Sequence, residues 1–597
     1  MTRTAGLRYL LALPLRAAPG LCAALLVVTV LDAIGAVLVA LLVRDAVVAM
    51  GAGDTDRVVW RSAAAAAVLT VALVAHVFAF LWQAAMAERA RQTVDVETLT
   101  AVGGRPQIDH FASPEFLDDL QILRRERGRV GTSSMVVFQC LESGLRLVTL
   151  VVALLTVNPA LLLLPVAAVA AVWAASRAEG ITQGGAERAA AERRRAGALF
   201  DILLSERGVH ESAVFDPGHR MVGLHDTALR AAQWVERKAR WQAFWLNVAG
   251  WSIFGVGYAL PLVALVVGWP VPRPGAADLV LVVLLALLLM KAIADVYDAY
   301  GWMLGAAATA QRQLRVLAGL GADDVPAATG EATPPLRRLT DGIRLTGVSF
   351  RYPRHPKDAL SQADLFLPAG SVVVLVGENG AGKSTLLNLL LGLYRPTTGS
   401  ILVDGHDLAR MAPGRLLGAA TGAFQDYARY RLSLRENVGV GDLTRIDDES
   451  AVRAALDSCS AGGLVERDPR GLAAPLGDTD EPGTVRLSGG QWQRLAAARG
   501  HLRPAPVLRV FDEPSAALDP DAEAALFDRI VGNGGDLAAR YGTVTVIVSH
   551  RLTTARLADL VVYLEGGRIM AAGTHDELVR RCPPYAELYA IQAGAYS

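Results

Sequence analysis

The stretch SVVVLVGENGAGKSTLLNLLLGLY (residues 371–394) decides the fold of the second half of the chain. A β-branched run is followed by the glycine-rich GENGAGKST (377–385) and then by a leucine-rich segment with helical spacing. The pattern G-x-x-x-x-G-K-[ST] between a strand and a helix predicts a phosphate-binding loop. Glycines let the backbone wrap around phosphates, and the N-terminus of the following helix attracts negative charge. We therefore predict a nucleotide site in an α/β domain.

Individual roles within this loop follow from its chemistry. The ammonium group of Lys383 is expected to reach the β- and γ-phosphates, and the hydroxyl of Ser384 is expected to hold Mg²⁺. The rest of the loop is expected to surround ATP through its backbone and comprises Gly377, Glu378, Asn379, Gly380, Ala381, Gly382 and Thr385. The predicted cofactors are thus ATP and Mg²⁺.

A second apolar strand, VLRVFDEP (507–514), ends in two carboxylates. Asp512 fits the acidic group that holds Mg²⁺ through water, and Glu513 fits a general base that orients the attacking water. A strand that merely ends in solvent-exposed acids is the alternative, but a phosphate loop requires such a partner. Arg509 is unusual in an apolar strand and suggests that one face of this strand reaches the domain surface.

The first half of the chain has a different character. Of the 597 residues, 52% are hydrophobic and 19% are charged, and the mean hydropathy is +0.34. The apolar residues concentrate before residue 305 in runs long enough to cross a bilayer, which takes about 20 residues. The zero net charge gives no indication of nucleic acid as a partner. The predicted spans are residues 20–43, 62–86, 135–157, 159–176, 244–268 and 276–297.

The loops between these spans predict the orientation in the membrane. The connections after the second and fourth spans are long and rich in arginine, so the positive-inside rule places them, and both chain ends, in the cytoplasm. Each is interrupted by a turn-like stretch, at 109–121 and at 206–220. The first span could be a signal peptide, but it exceeds the usual apolar core of one.

Some polar and aromatic residues of this half have two interpretations. The pairs Glu142/Arg146 and Lys291/Asp295 have i, i+4 spacing and either line a transport pathway or form solvated faces of cytoplasmic helix extensions. A group of aromatic residues either lines a cavity or faces lipid and the membrane interface: Trp241, Phe244, Trp245, Trp251 and Tyr258. The four cysteines are far apart in sequence and are interpreted as reduced structural thiols.

These patterns predict three regions. Residues 1–318 form the membrane domain, residues 319–341 form a linker rich in Ala, Gly, Pro and Thr, and residues 342–597 form the nucleotide domain. In the last region short strands alternate with helices, as in α/β domains.

The segment LSGGQ (487–491), which lies shortly before VLRVFDEPSAALD, resembles the signature motif of ATP-binding cassette (ABC) proteins. Residues 342–597 resemble the whole cassette, and the layout of the chain resembles an exporter-type half-transporter. The fold class that this resemblance implies is an all-α six-helix transmembrane domain followed by an α/β P-loop NTPase domain.

The resemblance also implies roles for further residues. Tyr352 matches the aromatic residue that stacks on adenine, and Gln425 matches the glutamine that contacts Mg²⁺ and faces the membrane domain. Asp519 matches the acid of the D-loop, and His550 matches the switch histidine that acts with Glu513 in catalysis. The signature residues expected to contact ATP held by a partner chain are Ser488, Gly489, Gly490 and Gln491.

The turn-like stretches at 109–121 and 206–220 resemble coupling helices, which dock onto cassettes, and Phe116 and Phe215 are the expected docking residues. Generic helix turns remain the alternative. One departure from the family concerns the loop before the signature, where Pro482 stands in place of the usual arginine between Glu481 and Gly483.

Because one cassette is present, the resemblance implies two chains, in a homodimer or in a heterodimer with another half-transporter. The implied function is ATP-driven export of a peptide, drug-like molecule or natural product from a bacterial cytoplasm across the plasma membrane, in contact with membrane lipids. Lipid flipping and metal-chelate import are alternatives. A non-transport ABC ATPase that acts on DNA or ribosomes is disfavoured by the predicted spans.

Overall fold

The computed structural model describes residues 3–105, 107–157, 163–215, 218–267, 275–319, 336–412, 414–477, 482–514, 520–549 and 554–595. The chain forms two compact units. The first comprises Met1–Thr100 and Asp118–Ala318, and the second comprises Ala101–Leu117 and Gly319–Ser597. The division at Ala318 coincides with the start of the linker in the sequence, most of which lies outside the described residues.

The first unit is helical in its described part. Six of its helices have 33 to 50 residues and are longer than a bilayer requires, because the apolar runs continue into arginine- and alanine-rich segments that also favour helix. The helices are α1 (Arg3–Ala17), α2 (Pro19–Gly51), α3 (Thr55–Gly103), α4 (Pro114–Val157), α5 (Leu163–Leu203), α6 (Glu206–Phe215), α7 (Gly218–Val267) and α8 (Ala276–Gly319).

Five of the described helices contain segments that are long and apolar enough to cross a membrane, namely Pro19–Gly51, Thr55–Gly103, Gly128–Leu155, Gly218–Leu260 and Ala276–Gly319. They contain all or most of the first, second, third, fifth and sixth predicted spans. The fourth predicted span, 159–176, begins in residues outside the described part, and its remainder belongs to α5. A crossing at that position therefore stays a prediction.

Small residues allow α5 and α7 to pack closely along their length. A Cβ atom on Gly185 would lie 2.4 Å from Cβ of Ala239, and one on Gly250 would lie 2.4 Å from Cβ of Ala174. Such close approach is typical of helix pairs in membranes. The core beside this pair buries Leu154, Phe254, Leu285 and Leu289.

The structure decides between the two interpretations of Glu142/Arg146 and gives the environment of the aromatic residues. Arg146 is 6% exposed and forms ion pairs with Glu142 and with Asp32 of α2. The solvated-face interpretation of Glu142/Arg146 is therefore wrong, because Arg146 is buried and joins α4 to α2 through its ion pair with Asp32. Trp241, Phe244 and Trp245 form an exposed aromatic group, whereas Trp251 and Tyr258 pack against the core.

The second unit contains two main β-sheets. A four-stranded antiparallel sheet has the order β2-β1-β4-β5, with β1 (Gly342–Phe350), β2 (Leu360–Pro368), β4 (Thr398–Val403) and β5 (His406–Asp407). A six-stranded sheet has the order β12-β11-β3-β10-β9-β6, with β3 (Val372–Gly377), β6 (Ala420–Ala423), β9 (Leu508–Asp512), β10 (Val544–Val548), β11 (Leu560–Glu565) and β12 (Arg568–Gly573).

The six-stranded sheet is parallel except for the pairing of β11 with β12. Val372, Val374 and Val376 face one core, and Val373 and Leu375 face the other. Helices cover both faces of a parallel sheet, which explains the uninterrupted apolar run in the sequence. The short pair β7 (Leu476–Gly477) and β8 (Val485–Arg486) is separate from this sheet.

The helices of the second unit are α9 (Lys383–Leu390), α10 (Leu434–Gly439), α11 (Glu449–Ser458), α12 (Gly489–Arg499), α13 (Pro520–Tyr541), α14 (His575–Arg581) and α15 (Pro583–Ala595). Residues Ala101–Leu117, which connect α3 with α4, also belong to this unit. There the amide of Ile108 donates to the carbonyl of Leu393 over 2.9 Å, and Arg354 pairs with Glu115.

The two predicted docking residues have different environments. Phe116 is 8% exposed and packs edge-to-face against Phe111, with their ring centres 5.7 Å apart. Phe215, at the end of α6, is 75% exposed. The docking role of both residues stays a prediction.

Candidate nucleotide-binding site

The phosphate loop connects β3 to α9 through a backbone that requires glycine. Gly380 has a φ of +81° and Gly382 a φ of +100°, which L side chains rarely adopt. A Cβ on Gly382 would lie 2.6 Å from the carbonyl oxygen of Ala359, whereas one on Gly380 would meet no atom within 4 Å among the described residues beyond its chain neighbours. The loop is thus packed on one side and open at Gly380, where a phosphate can approach the backbone.

Lys383 begins α9 and folds back over the loop. Its Nζ donates to the carbonyl oxygens of Gly377 and Glu378 over 2.8 and 2.9 Å. The residue is 6% exposed, and burial lowers the pKa of its ammonium group, while Glu513 and Asp512 act in the opposite direction. The side chain is therefore held in place at the start of α9, and its contact with phosphate stays a prediction.

Sheet order brings the carboxylates to this loop. Leu375 of β3 pairs with Val548 of β10, which in turn pairs with Asp512 of β9. Because parallel strands end at the same edge, Asp512 and Glu513 lie at the edge where the phosphate loop begins. Asp512 is 8% exposed.

Glu513 occupies an unusual backbone position. Its φ is +49°, and its amide donates to the carbonyl of Val548 over 3.2 Å. Gln425 donates to Oε2 of Glu513 over 3.1 Å, and Gln493 donates to its carbonyl oxygen over 3.1 Å. The structure thus brings together the predicted base and the predicted Q-loop glutamine, and it adds Gln493 from the signature helix.

Tyr352 lies beside the start of α9. Its hydroxyl hydrogen-bonds to Oγ1 of Thr385 over 3.1 Å. Its ring is edge-to-face with Phe350 and Tyr394, with ring centres 4.9 and 5.6 Å apart. The predicted adenine-stacking residue therefore lies next to the predicted phosphate loop.

The signature segment forms the N-terminus of α12. Ser488 caps this helix in a reciprocal capping box with Gln491, whose Oε1 accepts from the Ser488 amide over 2.9 Å. Arg467 also donates to Oε1 of Gln491 over 2.9 Å. Ser488 and Gly489 are exposed, so the helix start faces outward, and the side chain of Gln491 serves the cap.

Three of the predicted residues, Asp519, His550 and Glu481, lie outside the described residues. Their roles stay predictions. Ser384 is exposed at the start of α9, next to Lys383.

Comparison with known proteins identifies this arrangement. The family model described as ABC transporter matches residues 360–516, which include the phosphate loop, the signature helix and β9. The chain carries the ATP-binding domain of an ABC transporter.

Curated relatives match less than half of the chain. SpaT, the subtilin transport ATP-binding protein of Bacillus subtilis, is 35% identical over 254 residues, which are 42% of this chain and 40% of SpaT. The ATP-dependent lipid A-core flippase of Ralstonia nicotianae is 36% identical over 46% of this chain and 44% of its own. IrtB, the mycobactin import ATP-binding/permease protein of Mycolicibacterium smegmatis, is 38% identical over 43% of this chain and 42% of its own. Each match spans less than half of the relative.

The fold of the whole chain is also shared with a solved structure. A bacterial Atm1-family ABC exporter with ATP bound superposes with a TM-score of 0.79 over 96% of this chain and 98% of the other. At 22% identity this likeness shows the fold. The predicted fold class, a helical membrane domain followed by an ABC domain, is confirmed.

Arg509 is a correction to the sequence analysis. It is 1% exposed, so β9 does not reach the domain surface at this residue. Its guanidinium donates to the carbonyl of Ile530 over 3.2 Å and contacts Nε2 of His501 at 3.1 Å. Burial lowers the pKa of Arg509 to about 10, and burial together with the nearby guanidinium lowers the pKa of His501 to about 4. His501 is therefore a neutral acceptor in the core of the ABC domain.

Two contact residues of the ABC domain were missed by the sequence analysis. The first is Gln493, which lies two residues after the signature glutamine Gln491 and donates to the carbonyl of Glu513. The second is Tyr427, which donates to the carbonyl of Gly489 over 3.0 Å. Both lie within two residues of a recognised motif, and this proximity was the available signal.

Proposed function

We propose that the protein is an ATP-driven exporter of the bacterial plasma membrane, with its ABC domain in the cytoplasm. The observation that carries the proposal is one ABC domain whose phosphate loop, carboxylates and signature helix are assembled, in a chain that also holds five helices able to cross a membrane. Its membrane domain alternates between inward-open and outward-open states, and ATP drives the change because it binds the closed state better.

Two copies of the chain complete each ATP site in this proposal. The start of α12 is exposed and has no acidic residue in its first turn, so the positive end of its helix dipole attracts phosphate. Ser488, Gly489 and Gly490 of one copy would contact ATP that is held by Lys383 of the other. A homodimer is the simplest form, and a heterodimer with a second half-transporter is the alternative.

Hydrolysis is assigned to groups at the end of β9. Glu513 accepts a proton from the attacking water, and Gln425 holds the Glu513 carboxylate in place over 3.1 Å. Lys383 balances charge on the phosphates. The predicted roles of His550 and Asp519 are part of the same assignment.

The residues around the site fit Mg²⁺. The hydroxyl of Ser384, the amide oxygen of Gln425 and the carboxylate of Asp512 are hard oxygen donors of the kind that this ion prefers. When bound, Mg²⁺ neutralises phosphate charge. The open backbone at Gly380 also fits a phosphate group, since in the part of the chain that the structure describes no atom beyond the adjacent residues lies within 4 Å of where a side chain would begin.

Coupling between ATP and transport is assigned to the segment Ala101–Leu117. It connects two apolar helices, α3 and α4, while it belongs to the unit of the ABC domain and bonds to Leu393 through Ile108. A movement of the ABC domain would therefore displace the adjoining ends of α3 and α4. The second break in the helices, at α6, is proposed to act similarly on the partner copy.

The proposed substrate is a peptide, a drug-like molecule or a natural product. The match to SpaT, a protein of subtilin transport, supports this choice, and the membrane unit contains a cavity of about 490 Å³ lined by residues that include Glu179, Asp298 and Trp302. Lipid flipping and metal-chelate import are alternatives, because a lipid A-core flippase and a mycobactin import protein are similar to this chain at comparable identity.

Transport into inverted membrane vesicles tests the proposal. In such vesicles the ABC domain faces the medium, so an exporter accumulates substrate inside when ATP is added, and a Lys383→Ala chain does not. A panel of peptides, drugs and lipids should be offered, with ligand-stimulated ATPase activity as the first screen. ATP-dependent loss of preloaded substrate from the vesicles would indicate import and contradict the proposal.

A further inference from the structure

Six ionisable side chains meet inside the membrane unit. They come from four of the five helices that are able to cross a membrane, α2, α3, α4 and α8. We call them the intramembrane cluster, and they are Asp32, His76, Glu142, Arg146, Lys291 and Asp295.

Arg146 is the centre of the intramembrane cluster. Its Nη2 donates to Oδ2 of Asp32 over 2.8 Å and to Oε1 of Glu142 over 2.7 Å. Its Nη1 lies 3.6 Å from Oδ2 of Asp295, which also pairs with Nζ of Lys291 at 3.0 Å. The Arg146 guanidinium therefore pairs with three carboxylates, one each from α2, α4 and α8.

The core of this cluster is shielded from solvent. Asp32 is 7% exposed and Arg146 is 6% exposed. Phe254 of α7 packs with the apolar residues of α4 and α8 that adjoin the cluster. Charged groups at membrane depth are costly unless they are balanced, so the number of charges on each side matters here.

The formal charges of the cluster do not cancel. Three carboxylates face the guanidinium of Arg146 and the ammonium of Lys291, which leaves one negative formal charge. His76 is the sixth member; its side chain is 62% exposed, and its Nδ1 lies 3.6 Å from Asp32, too far for a good hydrogen bond. Among the carboxylates, Asp32 and Glu142 have oxygens that lie within 4.8 Å of each other.

We propose that Asp32 and Glu142 share one bound proton, so that the intramembrane cluster is a proton-binding site of the membrane domain. Two carboxylates held this close do not both stay ionised when they are buried, and a single proton makes the cluster neutral. This inference is independent of the proposed export function. It makes the contact among α2, α3, α4 and α8 depend on protonation.

Two further buried atoms support exchange of this proton. Nε of Arg146 and Oγ1 of Thr29, which is fully buried one turn before Asp32, have no hydrogen-bond partner among the described residues. A donor and a hydroxyl in this state are groups that bind an ordered water, and water carries protons to buried carboxylates.

A metal ion fits the same carboxylates less well. One oxygen or nitrogen each from Asp32, His76 and Glu142 could face a cation, but Arg146 already donates to both carboxylates. A divalent ion would lie beside a guanidinium in a medium that screens charge poorly. A proton adds the one charge that is missing and keeps both bonds.

Infrared spectroscopy of the full-length protein in lipid nanodiscs tests the proposal. At neutral pH the protein should show a carbonyl band of a protonated carboxylic acid that shifts in deuterated water. The component should be lost in Asp32→Asn and, separately, in Glu142→Gln, because either change makes the cluster neutral without a proton. His76→Ala should keep it, since the proton is assigned to the carboxyl pair.

Asp278→Asn is the matched control. Asp278 lies on α8 and forms a balanced pair with Arg44 over 2.8 Å, so its removal should leave the band unchanged. Absence of the band in the wild-type protein would overturn the proposal, as would a band that survives in both Asp32→Asn and Glu142→Gln. A metal bound stoichiometrically to the wild-type protein and lost from these variants would overturn it too. The wild-type spectrum and metal content decide the matter even where a variant does not fold.

Discussion

At the scale of single residues, Glu513 connects the end of β9 with Gln425 and with Gln493 of the signature helix. Its φ of +49° places a non-glycine residue in a region that costs about 1–3 kcal/mol, which the surrounding structure must offset. Bonds from Gln425 and Gln493 hold the carboxylate and the carbonyl. Strain of this kind occurs where geometry matters for chemistry, and here it directs the carboxylate toward the loop of Lys383.

The assignment of Glu513 as the base predicts the effect of Glu513→Gln. The amide keeps the shape but does not accept a proton, so ATP turnover should fall by about 100-fold or more. ATP binding should persist, because the phosphate loop is intact. Phosphate release and binding of a fluorescent ATP analogue measure the two effects.

The control for this change is Glu449→Gln, at the exposed start of α11, which should leave turnover within about twofold of wild type. Turnover in Glu513→Gln that matches this control would show that another group acts as the base.

Ser488→Arg should separate binding from hydrolysis. The chain should bind ATP through its own Lys383 loop, but the bulky side chain should block the exposed start of α12 from a partner's ATP. We expect ATPase activity to fall to near background. Ser433→Arg is the matched control because Ser433 forms the same kind of capping box on α10, away from the signature. A Ser488→Arg chain with the activity of this control would refute the shared site.

Sequence motifs predicted most of these residues, since a phosphate loop and its carboxylates have fixed local spacing. Asp32 and His76 were missed because each is a single polar residue in an apolar run, and its partners lie on other helices. Arg509 was misjudged for a related reason. The sequence shows a charge in a strand, but its neutral acceptor His501 comes from another element.

At the scale of elements, the contact between Arg509 and His501 joins β9 to the short segment after α12, where His501 lies two residues beyond the helix end. Cys459 at the end of α11 lies 3.4 Å from Nδ1 of His501 and completes this buried contact. These contacts therefore fix the end of the signature helix α12 against β9, the strand that ends just before Glu513. Protonation of His501 would place two cations 3.1 Å apart in the core.

This contact predicts loss of stability in acid. In the unfolded chain His501 binds a proton near pH 6.5, whereas in the folded protein its pKa is about 4. The unfolded state thus holds more protons between these values, and folding stability should fall as pH drops from about 6.5 to 4, by about 3 kcal/mol. Thermal unfolding of the ABC domain in the full-length protein measures the trend.

His501→Gln keeps an acceptor for Arg509 but does not titrate, so its stability should change less over this pH range. If both proteins lost stability in parallel, other groups would be responsible for the acid sensitivity.

The boundaries of elements were harder to predict than their existence. Buried strands such as β3 and β9 were evident because both faces of the sheet are covered and the residues are uniformly apolar. The cytoplasmic extensions of the membrane helices were expected but their ends were not, since hydropathy marks the apolar core whereas the helix continues through polar residues beyond it. The antiparallel sheet of β1, β2 and β4 depends on pairing between distant residues, which local patterns do not specify.

At the scale of the whole molecule, the chain combines a membrane unit with one ABC domain, and the proposed function requires two copies. In this proposal, each copy contributes a Lys383 loop to one site and a Ser488 helix start to the other. The order of the regions was predictable from composition, because a bilayer and an aqueous ATP site demand different residues. The second copy was implied by the resemblance to ABC proteins and is not a property of one chain's geometry.

Mixing of two inactive variants tests this central claim most directly. Lys383→Ala chains lack the phosphate loop function, and Ser488→Arg chains lack the signature function, so each homodimer should be inactive. A mixed dimer would contain one intact site, built from the wild-type loop of one chain and the wild-type signature of the other. When the two are co-reconstituted, ATPase activity should reappear at a level between that of the variants and wild type. A mixture as inactive as its components, or full activity of either variant alone, would contradict the account.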